Sequence, residues 1–327
     1  MVSFVASWLA RLAPWMVIGG LAYAAVFIQP SVESVPLHQP LLERRDLFFD
    51  GAVQGDQLWV IGQNGALLSS ADAGNSWDRE ELPGRSNLQS IAVSPEGRQV
   101  VVGNQGRVWT RLSDQAWQSA QLPVSELAGK LLSVSFIDGH FWAVGEMGAL
   151  FRSDADAQHW QALGDEADVI FNSIRAGANG DLWITAEFGR LLRSRDQGLT
   201  WTPVELGSES LRALVFSGST AMAVGNRGEV YLSSDSGDHW QALPHFTTEH
   251  LFDVAVHDGH WVVTGDRGAL FRSDNPASGW QAWTPAGLDK SYHSRLLDSE
   301  HGVVVIGQQL GLLRDNDLQI WPQESVR

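Results

Sequence analysis

From residue 47 onward, apolar and polar residues alternate in runs of four to seven, each run closed by Gly or Asp. The stretch LFDVAVHDGHWVVTGDRGALFRSD at 251–274 shows it, and LLSVSFIDGHFWAVGEMGALFRSD at 131–154 repeats it. Alternation in period two with turn residues between runs predicts strands, and no stretch after residue 31 carries a helical period. The runs recur. Aligned on the Trp that closes each unit, the chain gives Trp77, Trp117, Trp160, Trp201, Trp240, Trp280 and Trp321, with spacings of 40, 43, 41, 39, 40 and 41. A unit of about 40 residues with four short strands is the signature of a propeller blade. The pattern therefore predicts an all-β fold, a seven-bladed propeller of four-stranded blades over residues 46–327, with Val254, Val256, Trp261 and Val263 in its core.

Within each unit the second and third strands are joined by a Gly-x-x-Gly turn: Gly62/Gly65, Gly103/Gly106, Gly145/Gly148, Gly225/Gly228 and Gly265/Gly268. The fourth unit keeps only Gly189, and the seventh has a longer Gly307–Gly311 turn. Ring closure has two readings. The segment Val35–Asp46 either extends an outer strand or, as we expect for residues 31–45, is a linker to the first blade.

Residues 1–30 follow another pattern. Leu12–Ile28 is an uncharged run of 17 residues preceded by Arg11. That is near the lower limit for a helix crossing about 30 Å of hydrocarbon. The expectation is one N-terminal transmembrane helix, with bilayer contact through residues 12–28. A cleaved signal peptide is the rival, since Ala22-Tyr23-Ala24 fits a small-x-small cleavage site. Arg11 on one side and Glu33 on the other place the N-terminus in the cytoplasm and the body outside it.

Composition narrows the partners. With 38 acids against 22 bases the net charge is -16, so the phosphate backbone of nucleic acid is repelled. There is no cysteine, which removes disulfides, thiolate chemistry and lipid anchors attached through sulfur. No catalytic, cofactor-binding or metal-binding set stands out. His257 and His260 flank Asp258, but His140 recurs at the place of His260 and so reads as a blade feature.

Three units carry a complete Ser-x-Asp-x-Gly-x-x-Trp string: Ser70-Asp72-Gly74-Trp77, Ser194-Asp196-Gly198-Trp201 and Ser233-Asp235-Gly237-Trp240. The carboxylate can accept loop N–H groups, the Gly can take positive φ and the Trp can plug a gap between sheets. A residue repeated in several blades reads as structural, because catalysis needs it once.

These strings, with GHFWAVGEMGALFRSD, resemble the photosystem II assembly and stability factor family of plants and cyanobacteria, within the wider Asp-box propellers. The resemblance covers about 47–321. It implies a non-catalytic propeller that supports a membrane complex. For non-photosynthetic bacterial members it implies an accessory protein of an inner-membrane transporter, often of the resistance-nodulation-division type. The corresponding location is the bacterial inner membrane, single-pass, with the propeller in the periplasm. Cyanobacterial members are commonly lipoproteins, which a chain without cysteine cannot be, so the N-terminal helix has to anchor it.

An exported sialidase-like or glycan-binding propeller is the alternative. It needs a Tyr nucleophile with a Glu and three arginines, and Tyr292 is the remaining candidate, with Glu187 or Glu209 as its Glu. In a four-stranded blade the Asp boxes lie on one face of the disc and the Gly turns on the other. The Gly-turn face collects Arg227 and Arg267 at matching positions, with Arg107 and Arg190 just beyond their glycines. These four form the expected partner-binding patch, suited to an acidic loop or carboxylate. Arg152, Arg193 and Arg272 recur at one strand position and read as seam packing.

Overall fold

The structure, a computed structural model, describes residues 14–23, 41–42, 46–113, 115–164 and 167–322. The chain divides into two units, Met1–Pro40 and Leu41–Arg327.

In the first unit, residues 14–23 form an exposed helix of ten residues. At 1.5 Å per residue it is about 15 Å long, roughly half a hydrocarbon core. Among the described residues no helix is long and apolar enough to cross a membrane. The transmembrane helix expected over 12–28 is therefore not supported by the described residues. Residues 12–13 and 24–28, which would complete the span, lie outside the described residues.

In the second unit, seven antiparallel sheets each hold four strands in simple sequence order. The blades run Phe48–Glu80, Leu88–Gln121, Leu131–Ala162, Phe171–Glu205, Leu211–Ala242, Leu251–Ala282 and His293–Ile320. Each second strand is sandwiched on both faces, so Leu182–Ala186 is buried throughout. Outer strands are short and open to solvent, as in Gln118–Gln121. Seams between blades are apolar: Trp59, Ile61 and Leu67 of blade 1 pack with Leu88, Ile91 and Trp109 of blade 2. Burial of that kind stabilises at about 25 cal/mol per Å².

Ring closure needs no exchanged strand, since blades 1 and 7 are each built from contiguous sequence. Side chains join them instead. Trp77 and Trp321 meet at 5.3 Å, and His301 Nε2 lies 2.7 Å from Asp56. Leu41 and Leu42 pack against the cluster that contains Phe48, Trp77, Leu310 and Trp321. Arg79 donates to the Leu41 carbonyl at 3.1 Å and pairs with Asp46 at 2.7 Å. The end of the segment before blade 1 is thus fastened to the closing seam without forming a strand.

All seven innermost strands have a register shift after their first residue. Just beyond it stands one column: Asp50, Ser90, Ser133, Ser173, Ala213, Asp253 and Arg295. Several of its members tie neighbouring blades together. Asp50 accepts the Ser90 hydroxyl at 2.6 Å and the Ile91 N–H at 3.2 Å. Ser90 accepts the Val134 N–H at 3.1 Å, and Asp253 the Leu296 N–H at 2.8 Å. Arg295 closes the circle, 2.8 Å from Asp50 and 3.5 Å from Asp253.

Candidate functional site

The two rims of the disc are built from different turns. On one rim, Gly-x-x-Gly turns bring Asn64, Gln105, Met147, Phe188, Arg227 and Arg267 into the left-handed region, with φ between 53° and 61°. The two glycines do different jobs. The second takes positive φ, as Gly228 does at 74°. The first has extended backbone but sits against the preceding link, where a Cβ at Gly145 would lie 2.0 Å from the Lys130 carbonyl oxygen. Blade 4 has Ala186 at the first position, and no 3-10 turn forms there. Phe188 and Gly189 nevertheless keep positive φ.

A left-handed non-glycine residue pushes its side chain outward. Arg227 and Arg267 are 73% and 75% exposed at the tips of neighbouring blades, and Phe188 is 57% exposed. The four arginines are not one free cationic cluster. Arg227 lies 3.4 Å from Glu209, Arg267 3.4 Å from Glu249 and Arg190 2.9 Å from Glu205. The Arg107 guanidinium occupies the space that a Cβ on Gly84 would need. Sequence reasoning placed the arginines by turn position and missed these glutamates, which come from inter-blade links and an outer strand.

The opposite rim holds the Asp boxes, whose polar groups are turned inward on themselves. In the first box, Ser70 donates to Asp72 at 2.9 Å and accepts the Gly74 N–H at 2.9 Å. Asp72 also accepts the Ser76 N–H and hydroxyl at 2.8 and 2.6 Å, while Trp77 donates to the Gly74 carbonyl at 3.0 Å. The Ser194-Asp196-Gly198 and Ser233-Asp235-Gly237 loops repeat the arrangement, with Thr200 and His239 as the second donors. Trp240 donates to the Gly237 carbonyl at 3.1 Å, whereas Trp201 Nε1 has no partner among the described residues. These donors hold the Asp196 and Asp235 carboxyls at about 2, chiefly through Thr200 and His239, below the usual 3.8.

Each box glycine also abuts a tryptophan of the preceding blade. A Cβ on Gly74, Gly198 or Gly237 would come within 2.2–2.4 Å of Trp321, Trp142 or Trp183. Arg193 completes one such seam by stacking 4.8 Å from the Trp183 centroid while binding Asp181 and, in the next blade, Asp238. Arg152 and Arg272 stack on Trp142 and Trp283. Blade 3 carries a decayed box in which Asp154 accepts the N–H groups of Gln158 and His159.

Between the rims runs the central channel. Its mouth on the Gly-turn side is a cavity of about 450 Å³, where Tyr292 stands with Arg212 and Arg295. No glutamate is among the lining residues. The Tyr292 hydroxyl has no hydrogen-bond partner among the described residues, and burial alone pushes its pKa up. Glu187 accepts the Ile170 N–H at 3.1 Å and Glu209 faces Arg227. The cavity thus gathers Tyr292 with Arg212, Arg295, Asp50 and Asp266, but among the described residues no carboxylate hydrogen-bonds the tyrosine hydroxyl to activate it.

A ring of seven four-stranded sheets with these loops is a β-propeller of the Asp-box type. Residues 109–296, more than half of the chain, match the model of the photosynthesis system II assembly factor YCF48 family. The chain belongs to that family. It is similar to the photosystem II assembly lipoprotein Ycf48 of Synechococcus sp. strain CC9902, 26% identical over 67% of this chain and 69% of the relative. It is equally similar to the photosystem II assembly protein Ycf48 of Synechococcus sp. strain JA-2-3B'a(2-13), 26% identical over 87% and 90%. Among solved structures, YCF48 bound to D1 peptide superposes with a TM-score of 0.66 at 20% identity, over 80% of this chain and 91% of that one.

Proposed function

We propose that this chain is a non-catalytic docking propeller that supports the assembly or operation of a membrane protein complex, binding its partner with the Gly-turn rim. The observation that carries the reading is the contrast in how the rims use their charged groups. Arg227 and Arg267 project at matching tips and meet Glu209 and Glu249 only at 3.4 Å in solvent. Exposed pairs of this kind contribute about 0–1 kcal/mol. An incoming carboxylate with bidentate geometry can therefore displace the glutamate at little cost. Arg107 and Arg190 extend the same surface on blades 2 and 4.

Family membership supports this reading, since relatives are named as assembly factors and one was solved with a D1 peptide. Fold alone would not, because propellers host many activities. We place the partner in a membrane and the propeller on its outer side, with the apolar N-terminal segment as tether. A resistance-nodulation-division transporter is the candidate complex in a bacterium without photosystems.

A mild-detergent pull-down of the tagged full chain from native membranes, beside Arg227→Glu/Arg267→Glu, tests the proposal. We expect a membrane protein to co-purify with the wild-type chain and to be lost from the variant. Equal recovery with both would remove the Gly-turn rim from the account.

A further inference from the structure

The channel widens below its ionic waist into a funnel of about 980 Å³ that opens on the Asp-box rim, opposite the proposed docking face. Its walls are mixed, and Val93, Phe136, Val215, Phe216, Val256 and Leu297 supply apolar surface. Arg175, Arg295, Asp253 and Asp298 line it as well, with the polar Gln54, Ser135 and Ser217.

The charges are unequally matched. Arg295 takes Asp50 at 2.8 Å and Asp253 at 3.5 Å, while Asp298 binds His257 at 2.6 Å. Arg175 points its Nη1 at the Ser135 hydroxyl and the Ile174 carbonyl, both at 2.8 Å and both neutral. Among the described residues it has no carboxylate within ion-pair reach. Enclosure by protein and the neighbouring Arg295 pull its pKa down to about 10, against the opposing fields of Asp253 and Asp50. A guanidinium so placed is charged at neutral pH and keeps N–H donors turned toward the cavity. An anion in that space would gain a charge-assisted pair in a medium of low dielectric.

We propose that the funnel is a binding site for a single-chain carboxylate amphiphile of the fatty-acid class. Its carboxylate pairs with Arg175 at the floor, and its hydrocarbon tail lies against the Val, Phe and Leu walls. Two features select this chemistry together: the guanidinium that lacks an ion-paired carboxylate of its own asks for one anionic group, and the apolar side chains reward a tail rather than a second charge. The site lies on the far side of the waist from Arg227 and Arg267, so it stands independently of the docking proposal.

The test is isothermal titration of octanoate into the full chain held in lipid nanodiscs, with empty nanodiscs subtracted and octanol as the uncharged control. Octanoate should bind saturably and octanol at least tenfold more weakly. Arg175→Met should weaken octanoate at least tenfold, and Arg227→Glu/Arg267→Glu should leave it unchanged. Should Arg175→Met fail to fold, Val215→Asp serves instead. It puts a carboxylate at the same register of the next innermost strand, where it supplies the missing counter-ion and should abolish octanoate binding. Absence of octanoate binding, equal binding of octanol, or unchanged affinity in the Arg175 or Val215 variant would overturn the proposal. So would Arg175-dependent binding of an apolar peptide with a free C-terminus where octanoate fails, since that would assign the funnel to a chain end.

Discussion

The two rims of this propeller are both made of short glycine-containing turns, yet they differ in where their polar groups go. In an Asp box the polar groups are used locally: the serine and aspartate oxygens take up loop N–H groups, and the glycine is pressed on a tryptophan of the preceding blade. In a Gly turn a neighbouring side chain can hold the backbone N–H of the central residue, as Asn87 holds that of Asn64 and His250 that of Arg227, and the central side chain itself is left over. Six different residue types would be superfluous there if the side chain mattered to the turn; five types occupy the six positions, from Asn64 to Arg267. The repeated motif therefore marks stability, and the variable position between the glycines marks the surface open to function.

The sharpest way to break this contrast is to place a side chain where each rim allows it least and most. Gly237→Val needs positive φ and drives its Cβ to 2.4 Å from Trp183, so it should cost about 3 kcal/mol or more. A urea denaturation midpoint close to that of the wild type would show that the box glycine is not a seam contact. Phe188→Gly on the other rim should do the reverse. Relief of a left-handed bulky residue outweighs the added chain entropy, and a gain of about 0.5–1 kcal/mol is expected. A loss of thermal stability there would mean that Phe188 packs as core.

Arg227→Glu/Arg267→Glu should shift stability by no more than about 0.5 kcal/mol per site, measured in the same denaturation series. A large loss would make these arginines structural and the rims alike. The smallest effect is acid-dependent. Because Asp196 and Asp235 are held at about 2 in the folded chain, against 3.8 ordinarily, their contribution is complete above pH 4. It disappears as pH falls toward 2. Asp196→Asn/Asp235→Asn should therefore flatten the stability profile between pH 4 and 2 and leave its shape near pH 7 unchanged.

The blades were legible because each second strand is buried on both faces and each turn must carry glycine, so hydrophobicity and Gly spacing report the fold directly. The box strings were legible for the same local reason. What escaped were most of the contacts between blades, and the partner of Arg190 on the outer strand of its own blade. The contact of Gly237 with Trp183, the Glu partners of Arg190, Arg227 and Arg267, and the waist of Asp50, Asp253 and Arg295 join residues some 15 to 245 positions apart. A signal for the waist was present in the column Asp50, Ser90, Ser133, Ser173, Ala213, Asp253, Arg295, where polar residues interrupt otherwise apolar innermost strands. Tyr292 shows the converse. Its residue type suggested chemistry, yet among the described residues no carboxylate hydrogen-bonds its hydroxyl.

The most direct test of the docking rim is site-specific photo-crosslinking in native membranes, with the crosslinker placed at Phe188 or, in a separate chain, at Leu199 of the opposite rim, which is 75% exposed. Capture of a membrane protein from position 188 and not from 199 is the predicted result. The same protein captured from 199 alone would contradict the account and transfer the partner to the Asp-box face.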